Sequence, residues 1–298
     1  MIYSQVRRIV RRGRRVSVWF KGGASSVLLS LSAFVSEAQE QGGPLFVQRL
    51  NALCGSGAEL SVGCDEIRTR AIMDATQAPW SAIGRVNNAG WKRTRHCTGT
   101  LIGPRHVLTA AHCLYDPKRQ VWGSVDTLTF VAGYQRGQAQ ALSKVTSYFT
   151  GAKRSDGSRA SHSGALSERR RDWAILTLEN DIGLRQGYLP LLNAETTSGV
   201  AVSNPNWDPI ILGYAGLRPH VLTKATGCAE PSWAAQRDLM FLKNCPTMAG
   251  DSGAPVLVFE DEDLKVIGLL SGVAATSSSE MLSIAVPTHW FQDAVDRL

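Results

Sequence analysis

The chain has 298 residues, and its 44% hydrophobic and 19% charged residues are typical of a globular protein and exclude an intrinsically disordered one. The formal net charge of +7 suggests a nucleic-acid ligand, but residues 1–38 hold seven basic residues and one acidic residue, which leaves +1 (7 − 6) for the rest. The basic excess belongs to that first segment, so we expect no nucleic-acid partner.

Residues 1–38 have the pattern of an export signal. A basic stretch ends at Lys21, an apolar run covers 24–35, and small residues at 36 and 38 suit signal cleavage. A transmembrane anchor is the alternative, but about twelve apolar residues cannot cross a hydrocarbon layer of about 30 Å. The arginine pair at 14–15 also allows a twin-arginine signal. We expect a signal peptide, no stable membrane span, and a secreted or periplasmic protein.

Residues 39–66 show no clear period and are either a propeptide or an N-terminal arm of a domain at residues 67–298. Six cysteines suit an exported protein, and none forms the C-x-x-C clusters of zinc sites, so we expect disulfides and no metal. Six cysteines allow fifteen complete pairings, and their spacing favours the one that consists of three short-range bonds. These are Cys54–Cys64, Cys97–Cys113 and Cys228–Cys245.

From about residue 78 the chain changes to short β-type runs separated by turn residues, which is typical of an all-β sandwich or barrel. The predicted strands are Trp80–Val86, Thr98–Ile102, His106–Thr109, Leu128–Ala132, Trp173–Leu178, Ile210–Gly213, Val256–Phe259, Val266–Ser271 and Met281–Val286. An acidic hairpin turn is predicted at Glu260–Asp263, and a polar surface loop at 151–171. Apolar residues on one face predict a helix over 288–298, with Thr288 as its cap.

His112 follows a predicted strand and is surrounded by small residues. A lone histidine is usually structural, but a Cys97–Cys113 bridge would tether the turn that carries His112. Closing a loop of that size constrains the unfolded chain by roughly 3 kcal/mol. It would also hold the imidazole in place, as a general base requires.

Ser252 lies in the turn Gly250-Asp251-Ser252-Gly253, just before an apolar strand. Such a turn is common in loops without any catalytic role. In the catalytic interpretation, the N–H groups of Gly250 and Ser252 converge beside the hydroxyl. They would stabilise the oxyanion of a tetrahedral intermediate, by on the order of 3 kcal/mol per donor.

Asp172 opens the apolar run Trp173–Leu178. A carboxylate at the head of a buried strand is costly unless it is hydrogen-bonded. An imidazole N–H is a fitting partner, because the carboxylate then fixes the tautomer and stabilises the imidazolium. Its rival Asp116 lies only four residues beyond His112, too near in sequence to reach behind the ring.

The order His112, Asp172, Ser252 is that of the chymotrypsin type. At these motifs the chain resembles the trypsin-like (chymotrypsin-fold) serine proteases, and it looks closest to the bacterial branch with the V8-type glutamyl endopeptidases. Segments that support this branch are Ala78–Gly84, Thr98–Ile102 and Asn244-Cys245. The resemblance covers roughly residues 65–298. It implies two six-stranded antiparallel β-barrels, at about 75–180 and 185–286, with the active site between them.

The resemblance also implies a serine endopeptidase that needs no cofactor, cleaves polypeptides, can meet proteinaceous inhibitors and acts as a monomer. The substrate-binding positions carried over are the oxyanion amides of Gly250 and Ser252, the S1-lining Pro246 and Thr247, and the edge strand with Leu270, Ser271 and Val273. Pro246 replaces the aspartate of trypsins, and Leu270 replaces the histidine of glutamyl endopeptidases. We therefore expect an apolar or small P1 residue.

The activation step stays open. Trypsin relatives bury a new N-terminal amine against the aspartate before the serine, here Asp251. No Ile-Val-Gly-Gly motif stands in residues 39–72, although Ile67 lies at about the right distance from Pro79.

Three other classes remain alternatives to a protease. A non-catalytic binding protein on the same fold would usually lack a triad member. A metal-dependent hydrolase would use histidines and carboxylates, but no His-x-x-x-His spacing is present. A lipase or esterase would have a Gly-x-Ser-x-Gly elbow, which Ser252 lacks.

Overall fold

Antiparallel strands make up most of the regular secondary structure in the described residues, as the short apolar runs predict. The computed structural model describes residues 63–89, 95–153, 166–192, 207–225, 227–229, 231–233, 239–275 and 281–298. The predicted signal peptide, Cys54 and most of the polar loop at 151–171 lie outside these ranges. Within them, no helix has both the length and the apolar character needed to span a membrane.

Sixteen strands and four short α-helices are labelled here in chain order. The strands are β1 (Ala71–Ile72), β2 (Ile83–Asn88), β3 (Arg95–Leu101), β4 (His106–Thr109), β5 (Tyr115–Asp116), β6 (Val121–Trp122), β7 (Leu128–Ala132), β8 (Ala141–Thr150), β9 (Ala174–Leu178), β10 (Ile210–Gly213), β11 (Thr223–Ala225), β12 (Ser232–Trp233), β13 (Met240–Lys243), β14 (Pro255–Glu260), β15 (Asp263–Ala275) and β16 (Met281–Pro287). The helices are α1 (Cys64–Thr69), α2 (Leu166–Arg169), α3 (Gly183–Gln186) and α4 (Gln292–Val295).

The first half of the fold is a closed barrel in the order β2-β3-β4-β9-β8-β7. Its interior is apolar and excludes water, with Leu101, Phe130 and Leu176 fully buried. β4 lies beside β9, and Thr109 pairs with Ala174 at the end of this ladder. Because β4 leads to His112 and β9 follows Asp172, this register brings the two predicted catalytic residues to the same end of the barrel.

The second half is an eight-stranded antiparallel sheet in the order β1-β11-β10-β14-β15-β16-β13-β12. Without the two-residue end strands β1 and β12, it has the six strands that the resemblance implies. β1 precedes the first barrel in the chain, yet it pairs with β11 of this sheet. β1 is therefore part of the second half of the fold, although it comes before the first barrel in the chain. The predicted all-β fold class is confirmed.

The predicted acidic turn joins β14 to β15, where Glu260 pairs with Asp263. Asp261 and Glu262 between them have φ angles of 48° and 71°. Two successive left-handed residues suit a two-residue hairpin, because their twist matches that of the flanking strands. The predicted hairpin is therefore confirmed.

A C-terminal helical segment follows β16, as predicted, but its start differs. Thr288–Trp290 forms a 3₁₀ turn with Pro287 at the N-cap position, and α4 follows. Thr288 therefore lies inside the first turn and is not the cap, because Pro287 keeps the extended backbone of β16. The ring of Phe291 lies 6.0 Å from that of Trp173, so this segment contacts the chain next to Asp172.

Candidate active site

His112 lies in a 3₁₀ turn, Ala111–Leu114, that follows β4. A disulfide between Cys97 and Cys113 links this turn to β3, with the Cα atoms 6.2 Å apart. The predicted bridge is therefore confirmed. It anchors the residue next to His112 to the barrel wall, and the His112 side chain remains 22% exposed. A partly exposed imidazole on a tethered backbone can exchange protons with a bound ligand.

The carboxylate of Asp172 holds His112 at two points. The backbone N–H of His112 donates to Oδ1 at 2.9 Å, and Nδ1 lies 2.8 Å from Oδ2. Because a carboxylate only accepts, Nδ1 carries the proton and Nε2 is the basic nitrogen. Asp172 is 1% exposed, so its charge depends on these partners.

Ser271 is a further partner that the sequence did not reveal. Its hydroxyl donates to Oδ2 of Asp172 at 2.6 Å, and Nη1 of the buried Arg169 donates to the Ser271 hydroxyl at 3.3 Å. The resemblance assigned Ser271 to the substrate-binding edge strand, and it does lie in β15. Its side chain, however, is directed to Asp172, so it helps to fix the carboxylate.

The Ser252 turn lies between the barrel and the sheet. The backbone N–H of Thr98 in β3 donates to the Ser252 carbonyl at 2.9 Å, and Gly253 N–H donates to the Leu270 carbonyl in β15 at 2.7 Å. Gly253 has φ 80°, and a Cβ there would lie 2.4 Å from Oγ1 of Thr109. This close approach requires glycine.

The structure brings Ser252 next to the histidine turn without joining the two side chains. The Ser252 carbonyl lies 4.0 Å from Sγ of Cys113, the neighbour of His112. Across the described residues, no hydrogen bond links the Ser252 hydroxyl to Nε2 of His112. Such contacts are often long without substrate and shorten in the Michaelis complex.

Two backbone donors of the turn are without an acceptor among the residues that the structure describes. The N–H groups of Gly250 and Ser252 donate to none of the acceptors in the described chain, whereas those of Asp251, Gly253 and Ala254 all do. Gly250 has φ 100°, a left-handed conformation that suits glycine. These are the two amides to which the resemblance assigned the oxyanion, and both remain available for a ligand.

The side chains predicted to line S1 are buried and uncharged. Thr247 forms a 2.6 Å hydroxyl contact with Ser283, and the Ser283 hydroxyl donates to the Cys245 carbonyl. Thr247 is therefore the donor to Ser283. Leu270 and Val273 are 1% and 4% exposed. Ser283 was missed because its position in an apolar strand gave no signal.

His96 lies beneath the Ser252 turn. Its Nε2 donates to the Tyr214 carbonyl at 2.7 Å. Burial, followed by the charge of Arg85, lowers the pKa of His96 below its ordinary 6.5. A Cβ on Gly250 would lie 2.9 Å from Nε2 of His96. The neutral ring thus packs closely against the turn that carries the two available amides.

Comparisons with known proteins agree with this fold. Residues 71–208 match the family model described as Trypsin. The match covers less than half of the chain, and it shows that these residues are similar to that family. A Glu endopeptidase solved in complex with MPD has 20% identity and a TM-score of 0.54, with 76% of this chain and 95% of that chain covered. A thermostable serine protease from an extremophilic microorganism has 14% identity and a TM-score of 0.51, with 70% and 91% covered.

The curated relatives match this chain over short stretches. Inactive serine protease 35 of Mus musculus is 54% identical over 37 residues, and that of Rattus norvegicus is 51% identical over the same length. The chain spans only 9% of the length of these relatives. The predicted resemblance to trypsin-like serine proteases is confirmed by the family match and the fold.

The predicted bridge Cys228–Cys245 is also confirmed. Cys64 is disulfide-bonded, and its predicted partner Cys54 lies outside the described residues. Ligand atoms of Cys97, His112 and Cys113 lie within 4.8 Å of one another. Both sulfurs belong to a disulfide, which leaves no thiolate, so this group does not suit a metal ion.

Proposed function

We propose that the protein is an active serine endopeptidase with His112, Asp172 and Ser252 as its catalytic triad. The observation that carries the proposal is the double hydrogen bond between His112 and Asp172. It fixes the proton on Nδ1 and leaves Nε2 as the base for a serine hydroxyl. The adjoining Ser252 turn, with its two available amides, supports the same role.

In the first half of the reaction, the Ser252 hydroxyl attacks the carbonyl carbon of the scissile peptide bond while Nε2 of His112 takes its proton. The oxyanion that forms accepts hydrogen bonds from the N–H groups of Gly250 and Ser252. Asp172, held by Ser271, stabilises the imidazolium. The C–N bond then breaks, His112 gives its proton to the leaving amine, and an acyl-enzyme remains.

In the second half, His112 takes a proton from a water molecule that attacks the acyl carbonyl. The oxyanion again forms beside the same two amides, and the ester bond to Ser252 breaks as His112 returns the proton to the serine. The free acid leaves, and the enzyme is regenerated without a cofactor.

We propose an apolar or small P1 residue. Pro246, Thr247 and Leu270 bring no charge to the predicted S1 wall, and the Thr247 hydroxyl is committed to Ser283. A charged P1 side chain would lose its hydration there without gaining a partner. The match to a Glu endopeptidase at 20% identity concerns the fold alone.

We further propose that the protein is exported by the signal peptide at residues 1–38 and acts as a monomer outside the cytoplasm. The two described disulfides support an oxidising compartment, where such bonds persist. Its partners would be polypeptide substrates and proteinaceous inhibitors.

A fluorophosphonate probe and a peptide-library digest test the proposal on the mature protein. We expect labelling at Ser252 alone, and cleavage mainly after apolar or small residues. Ser252→Ala should lose labelling and about 10⁶-fold in turnover while keeping its melting temperature. Chelators should have no effect.

The competing classes give different results in the same experiment. Equal, negligible turnover by the wild type and by Ser252→Ala would indicate a binding protein. Loss of activity in chelator would indicate a metal-dependent hydrolase. Turnover of acyl esters but not of peptides would indicate an esterase.

A further inference from the structure

A buried ion pair joins the N-terminal segment to the turn that carries Ser252. Nη1 and Nη2 of Arg70 lie 3.1 Å from Oδ1 and Oδ2 of Asp251, a two-pronged contact. The side chains are 2% and 0% exposed. Such a charge is costly to bury alone, so each group depends on the other. The mechanism described above uses neither of them.

Asp251 lies between the two residues whose amides would bind the oxyanion, Gly250 and Ser252. Its Oδ2 also accepts from the backbone N–H of Met248 at 3.0 Å, and its own N–H donates to the Met248 carbonyl at 3.0 Å. The carboxylate therefore fixes the backbone on which the two available donors sit. The partner that neutralises this carboxylate supports the shape of the turn.

Arg70 reaches two further segments of the second half. Nη2 donates to the Pro246 carbonyl, beside the predicted S1 wall, and Nη1 lies 3.4 Å from the hydroxyl of Thr223 in β11. Arg218 donates to the carbonyl of Arg70. One guanidinium thus ties together β11, the S1 segment and the Ser252 turn, while its own backbone is held in place.

The segment before Arg70 is part of the same structure. Cys64 and Ile67 of α1 are buried in one apolar cluster with Met248, Val273 and Met281. The backbone N–H of Ile67 donates to the carbonyl of Gly63, the residue just before α1. In trypsin relatives a new N-terminal amine pairs with this aspartate, whereas here Asp251 pairs with an internal side chain.

We propose that Arg70 is a positioning residue that holds the oxyanion turn through Asp251, so that the enzyme is competent without release of an N-terminal amine near residues 63–71. This rests on the proposed function. In the described ranges, the other charged or titratable groups facing the pair are His96, near Asp251, and Arg218, on the Arg70 carbonyl.

Arg70→Gln, Arg70→Lys and the control Arg68→Gln test the proposal in the full chain. Arg68 lies two residues earlier, and within the described part of the chain its side chain forms only an exposed pair with Asp65. We expect Arg70→Gln to lower kcat on the order of 10²-fold, with a smaller change in KM, and Arg68→Gln to match the wild type. If Arg70→Gln keeps kcat within about threefold of Arg68→Gln, the proposal is wrong.

Arg70→Lys keeps a positive charge beside Asp251, so it remains informative if Arg70→Gln does not fold. A lysine ammonium keeps the positive charge beside Asp251 but cannot make the two-pronged contact of a guanidinium. We expect Arg70→Lys to recover part of the kcat that Arg70→Gln loses, with KM close to the wild-type value. A folded Arg70→Lys whose kcat is no higher than that of Arg70→Gln, or whose loss of activity falls on KM alone, would overturn the proposal.

Two measurements separate this proposal from the proposed function. N-terminal sequencing of the active protein should find residues 63–70 retained, and activity that requires a new amine at 67–71 would overturn the proposal. Amide exchange in the Ser252→Ala background does not depend on catalysis. Faster exchange at residues 248–253 in Arg70→Gln than in Arg68→Gln would support the role of Arg70 even if the chain proved inactive, and equal exchange would contradict it.

Discussion

His112 and Asp172 meet at two points, with the backbone N–H of His112 on one carboxylate oxygen and Nδ1 on the other. The first contact fixes the position of the turn, and the second fixes the orientation of the ring. Because one buried carboxylate makes both contacts, a change at Asp172 should disturb catalysis far more than a change at a nearby acid that does not hold His112.

Asp172→Asn tests which ring nitrogen of His112 carries the proton. The amide of asparagine can donate to Nδ1, so the ring would carry its proton on Nε2 and could not act as the base. We expect kcat to fall on the order of 10⁴-fold with the fold retained. The control is Asp116→Asn, because among the described residues the Asp116 carboxylate contacts Lys118 and Arg119 of its own turn and not His112. Steady-state kinetics should show little change for Asp116→Asn, and the reverse order of effects would reject the triad.

Gly250→Ala should remove activity through the oxyanion turn. Gly250 has φ 100°, and a Cβ there would lie 2.4 Å from the Tyr214 carbonyl oxygen, so the turn must shift. Gly137→Ala is a matched control, because Gly137 has φ 91° and no atom within 4 Å of the added Cβ. Both variants share the strained backbone, but only Gly250→Ala should reduce acylation by a fluorophosphonate, by on the order of 10² or more. Equal acylation rates in the two variants would argue against the turn as the oxyanion site.

The two described disulfides should differ in function although they close loops of similar length. Sequence separations of 16 and 17 residues predict similar losses of stability, about 3 kcal/mol for each, when a pair is replaced by alanine. Only Cys97–Cys113 anchors the His112 turn. We expect comparable drops in melting temperature, with a lower kcat per folded molecule only for Cys97→Ala/Cys113→Ala. If Cys228→Ala/Cys245→Ala lowers kcat as well, the loss of activity does not come from the histidine turn.

His96 should make the protein less stable in acid. Burial lowers the pKa of His96 below 6.5, so the unfolded chain takes up this proton at a higher pH than the folded one. The free energy of unfolding should therefore fall as pH drops below about 6.5, until the folded state also becomes protonated. His96→Gln, which keeps a donor for the Tyr214 carbonyl, should show a flatter dependence in denaturant titrations at pH 5 to 7.5. An unchanged slope would mean that other groups control the acid side.

The sequence predicted the strands that are short apolar runs with turn residues at both ends. The limits of β4, β7 and β10 agree with the predictions residue for residue. β8 was not predicted because its pattern is inverted. Its side chains at 141, 143 and 145 point inward, and they are Ala, Ser and Val, whereas Leu142 and Phe149 are more than half exposed.

The candidate site was predictable where one short motif carries the chemistry. His112, Asp172 and Ser252 each stand in a recognisable local context, and the fold brings their segments together. Contacts that depend on long-range pairing gave no such signal. Arg70 stands 181 positions before Asp251, in a segment that resembles any charged surface stretch, and Ser271 resembles an ordinary strand residue.

The lengths of the outermost strands affect the behaviour of the molecule in concentrated solution. A sheet that is not closed offers unpaired backbone groups at both margins, and these can recruit strands from other molecules. β1 and β12 are only two residues long. Such short margins give an incoming strand few hydrogen bonds, which protects against intermolecular aggregation through the second half of the fold.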